Sequence, residues 1–451
     1  MSPVRRPEHG NDQGRGRGTG HRPGDGGGRG SGHRAGHSAG LRHVLTHLVT
    51  PLLMCIGMGL AYLGAFANPA PHHLPVAVVG QGRSAQLLAQ SINDKAGGDL
   101  EVRTIADRAT AIELLRHQDI FGAYVLPGQA TGQGTTGGTE AVPELVVATA
   151  GSDTSASVVQ KIFTPVAAQQ GAPLKVTDVA PTAEDDPTGQ GIFFLLVAIS
   201  IGSYASVAVI GGAGAVLPIR LRGMLAIGTS FVVGVIGALF AGPVFHLVDH
   251  GLWGLWGMAW LYSAGILLIG TGLHTFLKRW TTLGVMALFV MLNFTSSGGI
   301  FRPEMQNGFF AALHAFWNGA GFVEGTRSHV YFDGYGLTGH VWTLVLWLVV
   351  GVLAVGAAAL AEKRRRAAEA AVAAGAAAVA AAAVAATVPE RAPVAGSEGG
   401  CDSAGGSERE GRRGAASGGV SGAVAAGDAA GGARDVEDED AEEEMEEAVG
   451  V

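Results

Sequence analysis

Charge is what this sequence has least of. Only 15% of its 451 residues are Asp, Glu, Lys or Arg, and between positions 188 and 360 these are confined almost wholly to short turns. With a mean hydropathy of +0.29, this excludes an ordinary water-soluble protein. Cysteine is nearly absent as well: Cys55 lies in an apolar run and Cys401 in a polar tail, so no disulfide framework braces the fold. Lysine occurs five times, at Lys95, Lys161, Lys175, Lys278 and Lys363. None of these follows Gly and precedes Ser or Thr, which excludes a Walker A nucleotide loop.

Catalytic and metal-binding constellations are also missing. His72 and His73 near Asp185 and Asp186 are the nearest approach to a ligand set, but adjacent residues seldom coordinate one ion, so they read as solvated juxtamembrane groups. Gly334 to Gly339 matches a dinucleotide fingerprint without the strand that must precede it. Gly36 to Gly40 matches a nucleophile elbow in a segment too polar to hold a strained turn. No cofactor, metal or catalytic residue is expected, and an enzyme is the class least supported.

What is abundant is glycine, 72 residues, gathered towards the two ends. Residues 1–43 are Gly, Arg and His with little apolar surface, and they read as a disordered basic head. Its charge serves orientation, and nucleic acid is not an expected partner. Residues 363–451 are Ala-rich and then acidic, and read as a tail whose alanines prolong the preceding helix before disorder sets in.

The first apolar run, 48–67, is long enough to cross a hydrocarbon core of about 30 Å at ~1.5 Å per residue. Ala65-Phe66-Ala67 has the form of a signal-peptidase site. The long basic leader and the length of the run favour an uncleaved anchor within 44–67. From 68 to 190 the pattern is that of an α/β unit. Strands are expected at 74–80, 100–105, 121–126, 144–150 and 174–179, with helices at 83–94, 107–117 and 154–169 between them. Further spans are expected near 192–213, 224–245, 255–275, 280–299 and 341–361, within a five-helix region, 191–362.

Basic residues order these segments. The leader, Arg220 with Arg222, Lys278 with Arg279, and Lys363 to Arg366 all fall on one side if the chain crosses six times. By the positive-inside rule that side is the cytoplasm. The expected fold is therefore an all-α membrane bundle of six transmembrane helices with an inserted extracytoplasmic α/β domain. The protein is read as a multi-pass component of the cell membrane with both termini cytoplasmic. The intervening turns between spans, 246–250 and 300–340, fall on the outer side and carry only Arg302 and Arg327.

The most distinctive stretch is 293–332. Asn293 and the run Ser296, Ser297, Gly298, Gly299 are expected to break the fifth span, Pro303 to redirect the chain, and 309–317 to form an amphipathic interfacial helix. A broken helix end is tolerated only where protein or water satisfies it, so this stretch reads equally as a substrate path or lid and as a structural re-entrant turn.

One anchor helix, a large ectodomain, five further helices and the Ser-Ser-Gly-Gly-x-x-x-Pro element resemble the ABC-2 type permease superfamily. The nearer likeness is to bacterial membrane proteins of the phage-infection-protein kind. The resemblance covers about 44–362 and rests on Asn293, Ser296, Ser297, Gly298, Gly299, Pro303, Phe309 and Phe310. It implies an exporter permease, commonly a homodimer, energised by a separate ATPase. The turn carrying Arg220 and Arg222 is then the docking surface. The alternative is a non-transporting envelope protein whose ectodomain binds a peptide, wall fragment or phage component.

Overall fold

The computed structural model describes residues 32–127 and 142–387. The Gly/Thr loop 131–139, the first part of the basic head and the acidic tail lie outside the described residues. Helix α1, Gly32–Phe66, opens the described chain. It takes in residues 32–43, expected to be disordered, as polar first turns ahead of the apolar run. Pro51 sits within it.

An α/β unit follows. Strands β1 (Leu74–Val79), β2 (Leu100–Ile105), β3 (Ala123–Val125), β4 (Glu144–Val147) and β5 (Lys175–Asp178) form one sheet in the order β2-β1-β3-β4-β5. All neighbours are parallel except β3 and β4. The period of two divides the strand side chains between the two faces. Val76, Val78, Tyr124, Leu145 and Val147 pack under α2 (Arg83–Ala96) and α4 (Asp153–Gln169), through Ala85, Ala89, Val159 and Phe163. Ala77, Val79, Ala123, Val125 and Val146 pack under α3 (Arg108–Arg116), through Ala111 and Leu115. With both faces covered, the inner strands β1, β3 and β4 read as apolar runs, while the edge strands β2 and β5 keep polar residues. Asp107 caps α3 by accepting from the Thr110 N–H at 2.9 Å.

Beyond this unit come α5 (Gly191–Gly211), α6 (Ile219–Leu239, prolonged by a wide π turn, Phe240–Val244) and α7 (Leu252–Leu277). Helix α8 (Thr281–Met286) is joined by a second π turn, Ala287–Met291, to α9 (Leu292–Ser296). Then follow α10 (Gly308–His314), α11 (Asn318–Tyr331) and α12 (Leu337–Thr387). Five helices among the described residues are long and apolar enough to cross a membrane: Leu48–Phe66, Gly191–Gly211, Ile219–Val244, Leu252–Leu277 and Leu337–Ala386. The segment expected to supply another span is the shorter apolar helix Thr281–Ser296, about 24 Å long at ~1.5 Å per residue.

Helix α7 is the hub of the bundle, its apolar window 61% buried against α5, α6, α11 and α12. The other spans turn rows of large apolar side chains outward, among them Leu60 and Leu63 on α1, Met224 and Val232 on α6, and Leu346 and Leu353 on α12. Exposed apolar rows on so many long helices belong in hydrocarbon, and the molecule is a multi-pass membrane protein. Helix α12 runs on well past the span. Alanine, the strongest helix former, carries it through a fully exposed stretch to Thr387.

Candidate functional site

Helix α9 stops where the sequence places the stop. Ser296 Oγ donates to Leu292 O at 2.7 Å and Ser297 Oγ to Phe294 O at 3.0 Å, so both hydroxyls turn back onto their own helix. Gly298 has φ +74, a left-handed conformation that side chains rarely adopt, and Pro303 opens a short 3-10 turn. Asn293, Ser296 and Ser297 are fully buried.

The chain then doubles back. Asn307 caps α10 by accepting from the Phe309 and Phe310 N–H groups, and α10 leads inward along α9 to a tip at Trp317. Trp317 Nε1 donates to Leu288 O at 3.2 Å, Trp347 Nε1 to Phe316 O at 2.8 Å, and Asn318 Nδ2 to Tyr262 O at 3.3 Å. The tip therefore lies level with Tyr262, ten residues or about 15 Å along α7. From there α11 climbs back beside α7 and α12. Residues 293–332 thus form a helical hairpin packed into the bundle. Phe309 faces out and Phe310 in, but α10 is shorter than the expected 309–317 helix because Trp317 leaves it to enter the bundle.

Two polar networks hold the hairpin. The inner one is a directed chain. The Gly319 N–H donates to Asn293 Oδ1 at 2.6 Å, Asn293 Nδ2 donates to the Tyr262 hydroxyl at 2.5 Å, and Tyr262 lies 2.5 Å from Ser200 Oγ. Ser200 spends its proton on Leu196 O at 2.6 Å, so Tyr262 is the donor to Ser200. Every member is buried, where an unpaired polar group costs about 1–3 kcal/mol.

The outer network is ionic. Glu324 on α11 pairs with Arg302 and, at 3.1 Å, with Arg327. Arg327 donates to Gly298 O at 2.8 Å and Gly299 O at 3.1 Å, which satisfies the carbonyls freed where α9 ends. His314 Nδ1 lies 2.9 Å from Ser296 O. All three charged residues are nine-tenths buried or more.

Arg302 also reaches the α/β unit. Its Nη1 donates to Gln118 Oε1 at 3.2 Å, and its guanidinium lies 5.2 Å from the centre of the Phe121 ring. Around it, Thr154 Oγ1 donates to Ile300 O at 3.0 Å and the His72 N–H to Glu304 O at 2.7 Å. Tyr331 bridges the same junction, donating to Leu247 O at 3.2 Å and accepting from the Ala183 N–H at 3.4 Å. Asp186 caps α5 through the Gln190 and Gly191 N–H groups; burial pushes its carboxyl up, against the pull of those N–H donors.

Arg220 and Arg222 sit at the other end of the bundle, at the start of α6. Arg220 is exposed, whereas Arg222 is buried against the preceding turn and offers little to a docking partner. The helical period makes the difference, since two residues on a helix face apart by about 200°. Among the described residues no group of His, Cys, Asp and Glu has the arrangement of a metal site. No family model matches the chain, and no curated protein or solved structure matches it either.

Glu324 escaped the sequence reading, which expected no helix between 317 and 341. The signal was there: Glu324 and Arg327 stand three apart, on one face of a helix, among Gly, Ala, Phe and Val.

Proposed function

We propose that the chain is the permease-like subunit of an exporter, of the ABC-2 type its sequence resembles, energised by a separate ATPase. The observation that carries this reading is the helical hairpin whose ionic latch, Arg302 with Glu324 and Arg327, also grips the α/β unit through Gln118 and Phe121. A helix pair that dips into a bundle and is held there by polar groups rather than by apolar packing alone has the construction of a gate. Non-helical backbone at that depth is tolerated where it meets protein or a wet path. The α/β unit, fastened to the latch, is placed to open it or to receive the substrate, an amphipathic molecule delivered to the outer leaflet.

The proposed topology has six crossings, with α8 and α9 as the fifth. Arg220, Lys278 and Lys363 to Arg366 mark the cytoplasmic end of the bundle. Arg302 and Arg327, which would weigh against this orientation, are internally compensated by Glu324. The tails are then cytoplasmic, the α/β unit is extracytoplasmic, and Arg220 is the part of the α5–α6 turn presented to an ATPase. Affinity purification from native membranes should recover a nucleotide-binding partner, and vesicles containing both should export in an ATP-dependent way. Recovery of no such partner under mild solubilisation would overturn the reading.

A second reading has one observation in its favour. A cavity of about 430 Å³ opens between α3 and the turn after α11, lined by Ile112, Glu113, Arg116, His117, Phe332 and Tyr335, with the His117 and Tyr335 rings stacked at 3.8 Å. It suits a ligand-binding envelope protein. Removing residues 75–180 would then abolish binding, and altering Ser296 to Pro303 would leave it intact.

A further inference from the structure

Arg222 is 8% exposed, yet among the described residues it forms no hydrogen bond or ion pair, and its Nε is buried without a partner. Its one acidic neighbour is already engaged. Glu362 of α12 accepts from the Ile219 N–H at 3.2 Å and pairs with Arg366, and so acts on Arg222 only through its field. His274 at the end of α7 shares the region, within electrostatic range of Arg222 and packed on Gly211. The turn beside it is Gly-Gly-Ala-Gly, and at Gly214 a β-carbon would stand 3.7 Å from Arg222 Cδ, so small residues leave the arginine stem room. Arg220, Lys278, Lys363 and Arg364 add positive charge to this end of the bundle. Burying the Arg222 Nε without a partner is costly, Glu362 compensates the charge only from a distance, and a planar guanidinium matches a phosphate with paired donors.

We infer that Arg222 holds the phosphate of an anionic phospholipid where the α5–α6 turn meets the end of α7 and the stretch of α12 around Glu362. The fork takes the phosphodiester, the surrounding cations favour a headgroup with net negative charge over a zwitterionic one, and the acyl chains run along the exposed apolar rows of α6. The site is independent of the hairpin and of the exporter reading.

The test is native mass spectrometry of the full chain released from nanodiscs made of equal parts phosphatidylglycerol and phosphatidylcholine. Wild type is expected to retain phosphatidylglycerol selectively, and Arg222→Gln to lose about tenfold of that retention, as removal of a charge-assisted contact predicts. Arg222→Lys, which keeps the charge but not the fork, should fall between them. Equal retention of the two lipids by wild type overturns the assignment without recourse to a variant, as does undiminished selectivity in a folded Arg222→Gln protein. Displacement of the lipid by excess inorganic phosphate would make the ligand a soluble anion and also overturn it.

Discussion

Arg302 and Glu324 form a buried ion pair that joins the loop leaving α9 to the helix climbing back out of the bundle. The same guanidinium touches Gln118 and Phe121, so one side chain bears on the hairpin and on the α/β unit together.

Glu324→Ala removes the one carboxylate with which Arg302 and Arg327 both pair. Breaking a buried pair from one side costs about 3–5 kcal/mol, and the whole chain in nanodiscs should unfold at a clearly lower temperature. The double variant Arg302→Met with Glu324→Leu removes both charges and should recover part of the loss, though Arg327 keeps it below wild type. A thermal shift assay on the three proteins checks the order.

Asn293→Ala removes both the acceptor for the Gly319 N–H and the donor to Tyr262. The orphaned amide alone predicts a loss of about 1–3 kcal/mol. Amide exchange at the start of α11 should rise more than exchange in α5, because the tip of the hairpin is held there.

Gly319→Ala would drive a methyl to 2.4 Å from Asn293 Oδ1, while Gly308→Ala meets nothing within 4 Å. Overpacking of this kind costs about 1–3 kcal/mol. The first variant should melt early and the second with wild type. Equal melting of the two would mean that the hairpin does not lie against α9.

In the α/β unit, Arg108 donates to Glu144 at 2.9 and 3.0 Å and Thr177 donates to it at 2.6 Å. Burial would raise the Glu144 carboxyl, but these donors prevail and hold it below its ordinary value. The stabilisation is therefore complete above the ordinary carboxylate range and is lost as pH falls through the depressed folded value. Melting of wild type and Glu144→Gln should differ most near neutrality and converge in acid.

Much of this architecture was legible from residue pattern. The strand and helix positions between 74 and 179 were, because apolar runs, turn residues and the Asp107 cap all agreed. The break at Ser296 to Gly299 was too, because two serines followed by two glycines are poor continuations of an apolar helix. What lies across the chain was not. Nothing local tells Arg302 that Glu324 will neutralise it, nor separates Arg222 from Arg220, since partners distant in sequence decide which charge is buried. The inward turn of α10 was hidden likewise, because Trp317 finds its acceptor on Leu288.

The most direct test of the central claim, a hairpin entered from the outer face of a six-crossing bundle, is labelling by a membrane-impermeant maleimide. Cys55 and Cys401 are first replaced by serine. Phe309→Cys at the exposed start of α10 should be labelled in intact cells, and Lys278→Cys at the exposed end of α7 only after permeabilisation. Labelling of Lys278→Cys in intact cells, with Phe309→Cys protected until the membrane is opened, would contradict the account.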